Sequence, residues 1–384
     1  MGEEKVDFQL NHDQLMMQKM VRDFVQAEIV PQASMTDETH QFPLKIIRRM
    51  GELGLMGIPI PVEYGGAGSD FLSYILAIEE IAKGCASTAV TLAVHTSIGT
   101  FPILYFGTEE QKRKYVPKLA SGEFIGAFAL TEAEAGSDAS SLQTTAIRQG
   151  DYYVLNGTKR YITNAGYADV YLVMASVDLA KGPHGVTSFL VEKDTPGFRV
   201  GKRHEKMGLN GSTTCEVIFE DAMVPVENLL GAEGQGFKVA MSLLDGGRIG
   251  IGAQALGIAE AALEDALNYA HNRVQFKQAI SNFQGVQFIL ADMATQIEAA
   301  KLLVYQAASL RMAGLPYTKQ ASMAKMFASD TAVKVTTDAV QIFGGCGYCK
   351  EHKVERYMRD AKITQIYEGT NQIQRIVVAK HLGA

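Results

Sequence analysis

Near its end the sequence runs Ile366-Tyr367-Glu368-Gly369-Thr370-Asn371, a lone carboxylate among apolar and small residues just ahead of a helical pattern. Two roles are open to it. It is a general base made more basic by partial desolvation, or an ordinary first-turn acid favoured by the helix dipole. A second stretch, Thr131-Glu132-Ala133-Glu134-Ala135-Gly136-Ser137-Asp138, gathers hydroxyls, small residues and carboxylates. Such a segment either lays backbone N–H groups along a polar ligand or simply caps and turns the chain. Tyr161-Ile162-Thr163-Asn164 is a third candidate, able to present a ring and hydroxyls at a domain edge. Cys346-Gly347-Tyr348-Cys349 is a CxxC with His352 three residues on. It lacks the second nearby pair of a zinc site, the adjoining histidine of a c-type haem site and the βα context of a thioredoxin-type pair. The plain reading is a pair of small residues closing a long helix, and no metal site is expected.

Other familiar chemistry is missing. The sequence holds no G-x-x-x-x-G-K-[ST], H-E-x-x-H or G-x-S-x-G. The strings Gly65-Gly66-Ala67-Gly68 and Gly231 to Gly236 do not join strand to helix in a βαβ unit, so they read as linking loops.

The elements that must position these residues fall into three blocks. Met17, Met20, Val21, Phe24 and Val25 recur at helical steps between Asn11 and Val30, and Pro31 is expected to stop that helix. Helices are also expected from Phe42-Pro43 to Gly54, over Phe71–Lys83 and Ser87–Gly99, and from a Thr108/Gln111 capping box to about Leu119. The period then changes. Tyr152–Leu155 and Thr158–Ile162 flank Asn156-Gly157, which predicts a hairpin because both turn residues need positive φ. Val170–Val177, Val186–Glu192 and Thr214–Phe219 are further strands. Past Gly236 come long helical patterns over Phe237–Asn272, Gln284–Ala313 and Thr318–Phe343, with a short one from Asn371. Lengths well above the usual 11–12 residues suit a four-helix bundle. The order helical, β, helical excludes an alternating βαβ architecture.

Composition bounds the rest. A chain of 384 residues suggests two or three domains. Lys+Arg number 36 against 42 Asp+Glu, a net charge of −6, which argues against a nucleic-acid partner. Four cysteines in this length make no disulfide scaffold. No run reaches about 18 uninterrupted apolar residues, so no membrane span is expected. The charged start Met1-Gly2-Glu3-Glu4-Lys5 does not look like a signal sequence, and a cytoplasmic location is expected.

Read together, six blocks resemble the acyl-CoA dehydrogenase family over essentially the whole chain. They are Leu130-Thr131-Glu132 with Ala135-Gly136-Ser137-Asp138, Tyr161 to Asn164, Arg273-Val274-Gln275-Phe276, Asp338 to Gly345, Met358 to Lys362, and Tyr367 to Asn371. Within the family the sequence is most similar to bacterial short-chain (butyryl-type) members. The resemblance implies a multi-domain α+β fold: an N-terminal α-helical domain (1–122), a middle β-barrel or sandwich domain (123–232) and a C-terminal four-helix bundle (233–384). It implies FAD, a homotetramer whose neighbouring subunits complete each flavin site, and electrons leaving to electron-transfer flavoprotein. The implied reaction is removal of an α-proton and a β-hydride from a short straight-chain acyl-CoA to give the trans-2-enoyl-CoA.

Carried over by residue, the resemblance makes Glu368 the catalytic base, with its own backbone N–H facing the thioester oxygen. FAD would meet Phe128, Ala129, Leu130, Thr131 and Ser137 on one side and Tyr161, Ile162 and Thr163 on the other. Its diphosphate and adenosine would meet Arg273, Phe276, Gln284, Gln341, Ile342, Gly344 and Gly345, with Thr370, Asn371 and Gln372 at the last helix. The CoA ester would meet Ser137, Asp245, Gly246, Gly247, Arg248, Tyr367 and Gly369. Some branched- and long-chain relatives carry the base immediately before the arginine matching Arg248. Here that position is Gly247, which leaves Glu368.

Some positions depart from the family pattern. Ala133 stands where proline is common, Tyr161 where tryptophan often lies, and Gln372 replaces a frequent glutamate. Lys277-Gln278 interrupts the glycine usual after Arg-x-x-Phe, which leaves the diphosphate contact in doubt. Alternatives on this fold are a branched, cyclic or dicarboxylic substrate, or an acyl-CoA oxidase, whose usual extra C-terminal domain is not expected in a sequence ending at Ala384. A flavin-containing DNA-binding member is a reading of another class.

Overall fold

The computed structural model describes residues 9–383; the charged start Met1–Lys5 lies outside them. The first block is helical: α1 His12–Phe24, α2 Val30–Thr39, α3 Leu44–Glu52, α4 Phe71–Gly84, α5 Ala86–Val94, α6 Phe101–Phe106 and α7 Glu109–Ala120. Capping boxes start α1 (Asn11 with Gln14) and α7 (Thr108 with Gln111), each satisfying N–H groups that a helix start leaves unpaired. Pro31 does not stop the first helix. A π-helical turn over Val25–Ile29 leads straight into α2, where Pro31 occupies a first-turn position that needs no N–H. Together α5, a second π-turn over His95–Thr100 and α6 form a run apolar enough to cross a bilayer by length and composition, but 83% of its window is buried in this fold. It is a core helix.

The middle block is one connected sheet. Its strands are β1 Gly126–Ala129, β2 Thr145–Gln149, β3 Tyr152–Thr163, β4 Val170–Ser176, β5 Val186–Glu192, β6 Phe198–Arg203, β7 Thr214–Pro225 and β8 Leu229–Leu230. The order is β6-β7-β3-β2-β4-β5-β8, with β1 parallel beside β4. The hairpin expected at Asn156-Gly157 is absent. β3 runs straight through that pair, and the turn comes earlier, at Gly150-Asp151, where Gly150 has φ +61°. Asn156-Gly157 instead makes an irregularity opposite β7, and Asn156 exchanges two hydrogen bonds with Asp221 there. Both halves of β3 find partners on β7, which outweighs the local turn preference of the dipeptide.

The last block holds α8 Gly236–Asn272, a short ribbon β9 Val274–Gln275 with β10 Gln278–Ala279, then α9 Gln284–Met312, α10 Thr318–Phe343, α11 Val354–Thr364 and α12 Asn371–Leu382. The α11 helix has no counterpart in the sequence expectation. α8 is buried along most of its length because it packs on α10, α9 and α11 and also on α4 of the first block. Its alanines and glycines allow that close approach on several sides.

Candidate active site

Glu368 lies in the bend between α11 and α12 with φ +55°, followed by Gly369 at +90°. A left-handed conformation costs a non-glycine residue roughly 1–2 kcal/mol, so the surroundings must impose it. They do. The buried Lys325 ammonium of α10 donates to the Gly369 carbonyl at 2.8 Å and to Asn371 Oδ1 at 3.0 Å. Gln374 Nε2 donates to the Glu368 and Gly369 carbonyls at 3.2 and 2.9 Å. Asn371 is tied further by donating to Ser329 Oγ and Asp330 Oδ1, and Thr370 caps α12 by accepting from the Ile373 N–H.

The Glu368 side chain reaches toward α8. A Cβ on Gly247 would overlap its Oε2, so glycine there is the condition for the carboxylate's position. Oε2 is sealed from water and has no hydrogen-bond partner in the described structure. The Glu368 backbone N–H likewise finds no acceptor among the described residues. Burial pushes the carboxyl pKa up to about 7, with the Arg248 and Lys325 cations pulling the other way. Burial also lowers Lys325 to about 7, partly offset by Glu368. A half-buried carboxylate near neutrality, with Oε2 sealed and without a donor, is suited to accept a proton.

Neighbouring groups shape the space around it. Arg248 is 5% exposed; its Nη1 donates to Asp245 Oδ1 at 2.6 Å while Nε has no partner. Asp245 Oδ2 accepts from Thr318. The Tyr367 hydroxyl donates to Gln254 Oε1, whose amide donates to the Ala86 carbonyl. One residue before Gly247, a Cβ on Gly246 would overlap the Arg311 guanidinium. Arg311 lies over Phe71 at 3.8 Å and Phe101 at 4.8 Å, donates to the Tyr105 hydroxyl, and has no carboxylate partner among the described residues. It lines a cavity of about 310 Å³ with Ser97, Phe101, Leu243 and Tyr317.

A second group lies at the sheet edge. The Arg160 N–H donates to the Thr131 carbonyl at 2.8 Å, which sets Phe128–Thr131 beside Tyr161–Thr163. Tyr161 has φ +60° and is 57% exposed, with His204 and Arg160 against its ring. Ala129, Leu130 and Ile162 are buried, so their backbone alone can meet a ligand; Ser137 is exposed.

A third group is remote. Arg273, Phe276 and Gln284 are exposed at the far end of α8 and start of α9, near Gln341, Gly344 and Gly345, since Tyr269 stacks on Phe343 at 4.0 Å. Ile342 is buried. Arg273 lies 26 positions beyond Gly247, and α8 spans all but the last step, so roughly 40 Å separates the two along that helix. One chain therefore does not bring the third group to Glu368.

Comparison with known proteins agrees with this architecture. Models of the acyl-CoA dehydrogenase N-terminal, middle and C-terminal domains match residues 11–123, 127–222 and 234–383. The chain belongs to the acyl-CoA dehydrogenase family. An acyl-CoA dehydrogenase of Bacillus subtilis is 59% identical over 97% of this chain and 98% of its own length. Two solved structures superpose with a TM-score of 0.97. Butyryl-CoA dehydrogenase from Megasphaera elsdenii is 50% identical, covering 99% of this chain and 100% of that one. A chain from a structure described as the electron transferring flavoprotein of Acidaminococcus fermentans is 55% identical, covering 98% and 99%.

For this acyl-CoA dehydrogenase, the sequence reading missed Lys325, Gln374 and Arg311. Lys325 had one available signal: a lysine on the same helical face as Ala321, Ala324 and Ala328, all buried. Gln374 and Arg311 carried none, because their partners lie on other elements.

Proposed function

We propose that this enzyme removes the α-proton from short straight-chain acyl-CoA thioesters with Glu368, forming the trans-2-enoyl-CoA. The observation that carries it is the donor-free Glu368 Oε2 in the gap left by Gly247, with its pKa raised to about 7. Similarity to butyryl-CoA dehydrogenase supports the short chain.

FAD is the cofactor of the family, and the residues present fit it. The exposed Tyr161 ring with the hydroxyls of Thr131, Ser137 and Thr163 suits a flat heteroaromatic with a polar edge. Arg273 and the α12 start at Thr370–Gln372 suit its phosphates. When bound, FAD supplies the acceptor for the hydride equivalent leaving the β-carbon. Everything else falls to side chains and backbone of the protein. Glu368 takes the α-proton on the unpartnered Oε2. Its free N–H is positioned to donate to the thioester oxygen, where negative charge grows. Lys325, Gln374 and Asn371 fix the left-handed bend, so the carboxylate and the N–H are preorganised together. Asp245, Arg248, Tyr367 and Gly369 hold the ester from the α8 side.

The roughly 40 Å between the Arg273 group and Glu368 supports a site completed by a second copy, with Phe276 (88% exposed) at an interface; a homotetramer is the assembly the family likeness suggests. Electrons pass to electron-transfer flavoprotein, a reading supported by the Acidaminococcus likeness. A cytoplasmic location goes with it. Arg311 of α9, which packs against Gly246 beside Gly247 and has no carboxylate partner among the described residues, favours a second reading: a dicarboxylic acyl-CoA.

Anaerobic titration of the flavin-loaded protein with acyl-CoAs of increasing length tests both. Butyryl-CoA is expected to bleach the oxidised flavin band, and Glu368→Gln to abolish bleaching. Bleaching that survives this substitution overturns the assignment of the base; bleaching by glutaryl-CoA in preference to butyryl-CoA selects the second reading.

A further inference from the structure

Cys346 and Cys349 take no part in the chemistry above. They border the 3₁₀ turn Gly344–Tyr348 that closes α10, and the Cys349 N–H donates to the Cys346 carbonyl at 3.2 Å. That hydrogen bond closes a four-residue turn, with Cys346 inside the 3₁₀ segment and Cys349 in extended backbone just after it. Such a turn holds the two Cα atoms within about 7 Å, and a disulfide needs roughly 4.4–6.8 Å. The Cα separation therefore falls in the range that a bridge needs.

The two thiols differ in setting. Cys349 is exposed, and its Sγ makes one weak contact, to the Gly345 carbonyl at 3.4 Å. Rotation about its χ1 loses little. Cys346 is half-buried against the core. One sulfur is open to a reagent and the other is sheltered beside it, the arrangement of an attacking and a resolving thiol. A metal role does not fit. Among the described residues no three His, Cys, Asp or Glu side chains converge, and the His352 ring packs edge-on against Phe343 and Tyr269. Cys85 and Cys215 are both buried, in α-helical and β-sheet surroundings distant in sequence.

We propose that Cys346 and Cys349 form a reversible oxidative-modification site, closed to an intrachain disulfide by a hydroperoxide and reopened by a dithiol. With hydrogen peroxide, Cys349 Sγ attacks the O–O bond, becoming a sulfenic acid as one water leaves. Cys346 Sγ then attacks that sulfur, the S–S bond forms and the hydroxyl departs as a second water. The two thiols lose two hydrogens and the peroxide is reduced to two waters. Reduction by a dithiol returns both hydrogens and leaves the dithiol as its own cyclic disulfide.

The turn follows directly on Phe343, whose ring stacks on Tyr269 at the end of α10. The turn adjoins Gly344 and Gly345, which the family resemblance places at the cofactor. The test reads peptide mass rather than flavin reduction, so its outcome is separate from that of the proposed reaction. The folded full-length protein is treated with equimolar hydrogen peroxide, free thiols are alkylated, and tryptic peptides are weighed. Cleavage after Lys334 and Lys350 leaves both cysteines in one peptide. That peptide is expected to be lighter by two hydrogens and unalkylated, and to gain two alkyl groups after dithiothreitol. In Cys346→Ser, the sulfenic acid on Cys349 is expected to persist long enough for capture by dimedone. An unchanged peptide, a sulfinic acid on Cys349 beside a free Cys346, or a disulfide only between chains each overturns the proposal.

Discussion

Glu132 and Glu368 each lie within reach of a buried lysine, and they have opposite chemistry. In the β domain, Glu132 accepts from the Gln143 N–H at 2.6 Å, the Thr144 N–H at 2.9 Å, the Thr144 hydroxyl and the Lys159 ammonium at 2.7 Å. Burial pushes its pKa up, but the Lys159 charge and these donors outweigh that and hold it below the ordinary carboxylate value. In the bundle, Glu368 has a lysine within electrostatic reach but no donor on Oε2, and burial wins. Lys325 spends its hydrogen bonds on the Gly369 carbonyl and Asn371 instead. Burial alone does not make a base. The number of donors left to the carboxylate decides whether it stays charged and inert or becomes proton-hungry.

The sharpest test of that contrast exchanges each glutamate for glutamine. Glu368→Gln is expected to slow flavin reduction by about 10²–10⁴-fold, the usual range for a lost general base, and to leave the melting temperature unchanged or raised. Glu132→Gln is expected to do the reverse. Stranding the Lys159 charge costs about 3–5 kcal/mol in urea unfolding, while rapid-mixing rates on the folded fraction persist. Equal loss of activity and stability in both variants would erase the distinction.

Next in size is Gly247→Ala, whose Cβ would overlap Glu368 Oε2. Displacing the proposed base by about 1 Å is expected to cost roughly 10²-fold in kcat. Gly250→Ala, whose Cβ meets Ile78 Cδ1 at 3.4 Å, is the control and is expected to stay within a few-fold of wild type.

The two glutamates also predict opposite pH dependence. The folded-state pKa of Glu368 lies near 7, above its unfolded value of about 4.5, so its contribution to stability falls as pH rises between those values. The folded-state pKa of Glu132 lies below its unfolded value, so its contribution is present above that value and lost on acidification. Glu368→Gln should flatten the first trend in urea melts taken from pH 5 to 8. The rate of flavin reduction is expected to climb to about pH 7 and level off. In Lys325→Met the missing cation moves that inflection to higher pH.

The smallest expected effect concerns Arg311. Arg311→Leu should weaken binding of glutaryl-CoA by about tenfold or more if the cation meets a carboxylate, and change butyryl-CoA little. Isothermal titration of the two ligands measures the difference.

Much of the fold was legible in residues close along the chain. Thr108 with Gln111 marks a helix start, and the long periodic runs before Asn272, Met312 and Phe343 end where their patterns do. The order of blocks follows from such local signals; the residues alone left Glu368 open between a base and a first-turn acid, and the family resemblance, with glycine at 247, made it the candidate base. Other features were decided by partners distant in sequence. Asn156-Gly157 has the local chemistry of a turn, yet pairing with β7 draws it into a strand. Pro31 has the chemistry of a stop, yet a π-turn carries the chain past it. The basicity of Glu368 depends on α8, α10 and α12 meeting around it, and so does the left-handed bend that aims it. A sequence specifies its local hydrogen bonds and periodicities directly. Desolvation and the count of donors around a buried carboxylate exist only once distant segments have packed.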